Sequence, residues 1–280
     1  MQTSPLARAR GVLFDMDGVL YNAEQPIAGA AEAMAWVRAQ GIPRLFVTNT
    51  TSRSRAVLAE KLARFGIAGG EEDILTPPVA AAEWLRAHAA GGAVAVFVRP
   101  ATRAEFAGLD LLDDEAERGA AYVVIGDLGT HWDFRTLNRA FRLLHHNPEA
   151  RLIALGMTRY WLAADGISLD VAPFVAALEH AAGRKAMVFG KPAANFFHAA
   201  AARLSLAPEE VLMVGDDVEA DVRGAMAAGL AGALVRTGKF RDADLEGAPH
   251  PDLVIDSVAD LAAAWNYRYF TNRTALPRSL

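Results

Sequence analysis

Short apolar runs that stop abruptly at polar residues punctuate this chain. Gly11 to Phe14 runs into Asp15, and Arg44 to Val47 runs into Thr48 and Asn49. Ala186 to Phe189 runs into Gly190 and Lys191, and Val211 to Val214 into Gly215, Asp216 and Asp217. Runs of three to five residues, apolar throughout, predict strands buried on both faces. Ala233 to Val235 and Leu253 to Ile255 look alike, with weaker polar endings. Between the runs lie helical patterns over 28–40, 54–65, 193–204 and 217–228. Strand alternating with helix, and no tight hairpin signal, predicts βαβ units and a parallel sheet. Ligands of such sheets bind beyond the carboxyl ends of the strands, where all four polar endings are expected.

The middle third has strand patterns of its own at 93–98, 122–125 and 151–155, separated by helical patterns near 79–90, 133–146 and 173–181. It predicts a second α/β module, inserted over 80–184 into a core made of 1–79 and 185–270, with 271–280 as a tail.

Composition narrows the function classes. The 280 residues carry 28 Lys and Arg against 33 Asp and Glu, a formal charge of −5. That balance argues against a nucleic-acid binder. The chain has 0 Cys, which excludes a disulfide scaffold, a thiolate zinc site and a cysteine nucleophile. The longest stretches without a charged residue, 87–98 and 224–235, are too short to span a membrane, and no secretory leader is visible. A cytoplasmic protein is the expectation. Among the 28 basic residues the lysines are Lys61, Lys185, Lys191 and Lys239. A lysine at a strand end therefore stands against a strong local habit of using Arg.

Each polar ending has a chemical and a plain reading. Asp15 and Asp17 precede Gly18, so two carboxylates can share one site around a sharp turn. Close anions need a cation, and an oxygen-rich site suits Mg²⁺. One carboxylate can then attack phosphorus while the other moves protons. The plain reading is a strand-ending turn. Thr48 and Asn49 can hold phosphoryl oxygens, or serve as helix caps. Lys191 can neutralise phosphoryl charge, or be a solvated loop residue, with Pro192 suited to a helix's first turn. Asp216 leaves a buried strand and can complete a metal shell. Asp217 and Asp221 can orient ligands from behind it, or, with Glu219, merely stabilise a helix start.

The order FDMDG (14–18), VTNTT (47–51), FGKP (189–192) and MVGDDVEAD (213–221) resembles the haloacid dehalogenase superfamily of phosphohydrolases. A large insert between the second and third motifs is similar to its NagD-type branch. LNRAFRLL (137–144), RYW (159–161), PFVAALEHAAG (173–183) and LVRTGKFR (234–241) extend the likeness over about residues 10 to 262. The resemblance implies a Rossmann-like parallel-sheet core with an inserted α/β cap. It implies Asp15 as nucleophile and Asp17 as acid/base, with the Asp17 backbone carbonyl on Mg²⁺. Thr48 and Asn49 would hold the phosphoryl group, Lys191 would steady it, and Asp216 would be the third protein ligand of Mg²⁺. The expected activity is Mg-dependent hydrolysis of a small phosphorylated metabolite through an aspartyl phosphate, with substrate chosen by the cap. The branch also implies a homodimer formed through the cap.

Within the insert, Arg159, Tyr160 and Trp161 are candidate substrate selectors on the loop after its third strand; Tyr160 and Trp161 equally read as core packing. Asp127, which ends another strand, reads as a turn residue or as a partner for a substrate ammonium. Two other classes compete: a phospho-receiver, which would be about half this length, and a phospho-ligand-binding protein without turnover. A P-loop protein is excluded, since Arg236 to Lys239 lacks the upstream glycine and the following Ser or Thr.

Overall fold

The computed structural model describes residues 5–163 and 166–270. In chain order its strands are β1 (Gly11–Asp15), β2 (Tyr21–Asn22), β3 (Gln25–Pro26), β4 (Arg44–Val47), β5 (Ile74–Leu75), β6 (Val94–Phe97) and β7 (Tyr122–Ile125). They continue as β8 (Arg151–Ala154), β9 (Tyr160–Ala163), β10 (Gly166–Leu169), β11 (Met187–Val188), β12 (Val211–Gly215), β13 (Ala231–Val235) and β14 (Leu253–Ile255). The chain divides into two compact units. One comprises residues up to 48, 55–75 and from 197 onward; the other comprises 49–54 and 76–196. The sequence pattern drew the insert at 80–184; the contacts carry the second unit on to 196 and add the short segment 49–54. The expected tail, 271–280, lies outside the described residues.

The first unit is built on a six-stranded sheet, ordered β14-β13-β12-β1-β4-β5, with every pair parallel. Parallel neighbours require crossovers, which the helical patterns supply as Ala30–Ala39, Arg55–Arg64 and Ala194–Arg203. β1, β12 and β13 are buried at every residue, which is why their sequences are apolar throughout rather than alternating. Phe14, Phe46, Val214, Leu62 and Met34 meet in one core.

The second unit holds a four-stranded parallel sheet, ordered β11-β8-β7-β6. Helices Pro77–His88, Phe134–His146 and Val171–Ala182 accompany it. Asp133 caps the second of these, accepting the Thr136 N–H at 2.7 Å. Phe97, Val123, Ile125, Leu144, Leu152 and Val175 form its core, with Trp132 stacked on Phe174 at 4.6 Å.

Three expectations are corrected here. The run 186–189 does not end in the large sheet. Its strand, β11, spans two half-buried residues and pairs with β8 in the small one. Hairpins also exist: β2 pairs antiparallel with β3, and β9 with β10. Pro192 falls in a turn ahead of Ala194–Arg203 rather than in the helix.

Phe14 is fully buried and Phe134 is 82% exposed. Phe14→Ala should cost about 3–5 kcal/mol in urea unfolding of the whole chain, by lost transfer energy and the cavity left. Phe134→Ala should stay within about 0.5 kcal/mol of the parent.

Candidate active site

The sheet register brings distant residues to one edge. Phe14 lies level with Val214 on one side, and Asp15 with Val47 on the other. One residue further along, the flanking strands present Gly215 and Thr48. Adjacent strands are about 4.8 Å apart, so the endings of β12, β1 and β4 are forced into proximity. Asp15, Thr48 and Asp216 are all buried there.

Carboxylate oxygens of Asp15, Asp216 and Asp221 lie within 4.8 Å of one another. Asp221 reaches this group because the chain after β12 begins not as an α-helix but as a π-helical turn, Val218–Arg223. Both the Asp221 and Val222 N–H groups donate to the Asp217 carbonyl, at 2.9 and 3.3 Å. Asp217 caps the turn, its Oδ1 accepting the Ala220 N–H at 2.9 Å and the Glu219 N–H at 3.1 Å. Asp221 was expected behind the metal shell; its carboxylate stands in the cluster itself, where Oδ2 also accepts the Asp217 N–H at 3.3 Å.

A further segment closes on this cluster, and the motif reading gave it no role. The Lys239 N–H donates to Asp216 Oδ2 at 2.8 Å, and Thr237 Oγ1 to the Gly18 carbonyl at 2.5 Å. Gly18 and Gly238 both sit at positive φ, +95° and +65°, and a Cβ on either would overlap Asp216 Oδ2. The available signal was the polar ending Arg236 to Lys239 directly after β13, the strand beside β12. The Lys239 ammonium pairs with Asp217 at 3.3 Å. Burial alone would lower the Lys239 pKa, but the charges of Asp217 and Asp216 raise it above the usual range. Burial likewise pushes the Asp217 carboxyl up, yet the Ala220 N–H and the Lys239 charge outweigh it and hold the group below the usual range.

Asp17 is exposed and stands apart from the buried cluster. Its Oδ1 accepts the Ala23 N–H, from the turn between β2 and β3, at 3.2 Å.

Asn49 and Lys191 meet in the second unit. The Asn49 amide oxygen accepts the Lys191 N–H at 2.8 Å, and its Nδ2 donates to the Lys191 carbonyl at 2.9 Å. The Asn49 side chain thus fixes the main chain around a buried lysine. Of the insert's candidates, Tyr160 and Trp161 begin β9 rather than a loop, and neither packs the core: they are 54% and 46% exposed. Arg159 lies over the Tyr160 ring at 5.7 Å. Trp161 lines a cavity of about 380 Å³ with Arg99, Asp127, Trp132, Asp170 and Phe174. Asp127 takes the turn role, accepting the Gly129 N–H at 2.6 Å and pairing with Arg99 at 3.0 Å. Burial, reinforced by the Asp127 charge, raises the Asp170 carboxyl.

Comparison with known proteins decides the family. Residues 12–111 match the model for haloacid dehalogenase-like hydrolases, and 188–261 match the HAD-hydrolase-like model. The human phospholysine phosphohistidine inorganic pyrophosphate phosphatase is 36% identical over 259 residues, 91% of this chain and 92% of its own. The chain belongs to the haloacid dehalogenase-like hydrolases. The mouse haloacid dehalogenase-like hydrolase domain-containing protein 2 is 39% identical over 249 residues, 89% of this chain and 92% of its own. Among solved structures, p-nitrophenyl phosphatase from Archaeoglobus fulgidus superposes with a TM-score of 0.82 at 29% identity, covering 91% of this chain and 99% of that one. NagD from E. coli K-12 gives 0.80 at 26% identity, covering 90% and 98%. The protein is a NagD-like phosphatase, and the receiver and non-hydrolytic readings give way. Among the described residues of this phosphatase no helix is long and apolar enough to cross a membrane.

Gly238→Ala tests the closing segment. The new Cβ must displace Asp216 or the Gly18 backbone at a φ that Ala resists. Phosphatase kcat/KM should fall by about tenfold or more, with a melting temperature lower by only a few degrees, about what 1 kcal/mol produces in a chain of this size.

Proposed function

We propose that the phosphatase hydrolyses a small phosphorylated metabolite in two steps, through a phosphoryl group carried on Asp15, with Mg²⁺ held by the buried carboxylates. The observation that carries this reading is the cluster of Asp15, Asp216 and Asp221. Three buried anionic groups offering only hard oxygen donors fit Mg²⁺, and the family generally uses it. Asp15, Asp216 and Asp221 would hold the ion together with the Asp17 carbonyl. When bound it supplies positive charge that draws a phosphate dianion toward a carboxylate.

In the first step an Asp15 carboxylate oxygen bonds to phosphorus while the ester P–O bond breaks. Asp17 in its protonated form gives its proton to the departing oxygen. In the second step Asp17, now a carboxylate, takes a proton from water. The water oxygen bonds to phosphorus, and the Asp15 carboxylate leaves. Atoms and charge balance, and both acids return to their starting state. Thr48 serves the transferred group by hydrogen bonding, and within the second unit Asn49 fixes the main chain of Lys191, whose ammonium is the positive charge the motif supplies. The second unit selects the organic part of the substrate, with Arg159, Tyr160 and the cavity beside Trp161 as its contact groups. Relatives named for phospholysine, phosphohistidine and pyrophosphate, and neighbours named for p-nitrophenyl phosphate, support small phosphoesters and phosphoramidates as the class to screen.

Asp15→Asn should lose about 10³-fold or more of kcat while melting no lower than the parent. Radiolabelled phosphate should be trapped on the parent enzyme by acid quench and be absent from the variant. Label retained by Asp15→Asn would place the covalent step on another residue. Chelator should abolish turnover and Mg²⁺ restore it. In calorimetric titration Asp216→Asn should bind Mg²⁺ about 10–100-fold more weakly; unchanged affinity would remove Asp216 from the metal site.

A further inference from the structure

Lys61 is one of four lysines in a chain that otherwise uses Arg, and no phosphatase motif accounts for it. It lies on the helix Arg55–Arg64 with its side chain only 5% exposed. A buried ammonium must be compensated, and both of its partners belong to one small element. Lys61 Nζ is 3.1 Å from Glu24 Oε1 and 4.1 Å from the centroid of the Tyr21 ring. Glu24 is at the turn of the β2–β3 hairpin and Tyr21 begins it. Arg64, one helical turn further on, reaches Glu24 at 3.5 Å, and Phe65 packs on Tyr21 at 5.5 Å.

The same hairpin holds Asp17. Its Ala23 N–H donates to Asp17 Oδ1, and the Tyr21 carbonyl accepts the Gly18 N–H at 2.7 Å. Ala23 is in the left-handed region at φ +48°, a conformation that Ala adopts only when its neighbours impose it. The residues on either side of this strained position, Asn22 and Glu24, are fixed by the pairing with Gln25 and by Lys61.

We propose that Lys61 is a positioning residue for Asp17, acting through the hairpin. It pins Tyr21 and Glu24 so that the Ala23 N–H stays on the Asp17 carboxyl. The inference rests on the acid/base assignment of Asp17 above. An exposed side chain without that tether would sample several rotamers, and proton delivery to the leaving oxygen would suffer before any other step.

The choice of leaving group separates this role from a merely structural one. An alkoxide needs a proton to depart, whereas p-nitrophenolate departs without one. Lys61→Met should lower kcat/KM on glycerol phosphate by about 10–100-fold, and on p-nitrophenyl phosphate by no more than about threefold. Glu24→Gln, at a 65% exposed site that folding tolerates, should move the same ratio in the same direction even if Lys61→Met does not fold. Asp17→Asn calibrates the assay. A selective loss in Asp17→Asn, with equal losses on both esters or none in Lys61→Met and Glu24→Gln, overturns the role of Lys61. Equal losses on both esters in Asp17→Asn itself overturn the acid assignment, and this inference with it.

Discussion

Three carboxylates held within 4.8 Å of one another repel. With all of them ionised, each pair at about 5 Å costs roughly 3 kcal/mol at an effective dielectric constant near 20. Nothing in such a cluster attracts its members, so the scaffold has to hold them. β1 and β12 do so with full burial and four consecutive matched positions. The loop after β13 adds the Lys239 N–H on Asp216 and the Lys239 ammonium on Asp217. These contacts offset part of the repulsion. A scaffold that gathers three carboxylates at one sheet edge is suited to a cation.

The same constraint explains which parts of the site were legible in the sequence. A strand buried on both faces is apolar throughout, so its end is marked by the first polar residue, and Asp15, Thr48 and Asp216 stood out for that reason. Asp221 joins the carboxylate cluster where the chain takes the wider turn of a π-helix. The run 186–189 was assigned to the wrong sheet because apolar character does not say which partner a strand chooses. Met187 and Val188 are only half-buried at a sheet edge. The β2–β3 hairpin carries no Gly or Asn at its turn; Ala23 and Glu24 stand there instead, with tertiary contacts imposing the geometry.

Hydrogen bonding divides the labour between side chain and main chain. Asn49 directs both ends of its side-chain amide to the Lys191 backbone. Asp217 takes two N–H groups of the π-turn while pairing with Lys239. A carboxylate or amide anchored at two points loses rotamer freedom once, at folding, and none when substrate arrives.

On the proposed mechanism Asp15 and Asp17, two residues apart, need opposite environments. A nucleophile must be held in place, which the buried end of β1 provides. A group that changes protonation twice per cycle must exchange protons with solvent, and full burial would penalise its charged form. The chain meets both needs by leaving the sheet between them: Asp15 ends β1 and is buried, while Asp17 lies past the last sheet position and is exposed. Exposure removes the packing that would orient Asp17, so its orientation has to come from a hydrogen bond. The donor of that bond is a hairpin of two-residue strands, too short to be rigid alone. Rigidity must then be imported from a neighbouring helix, and a buried lysine that touches both the turn and the first strand of the hairpin is a direct way to import it.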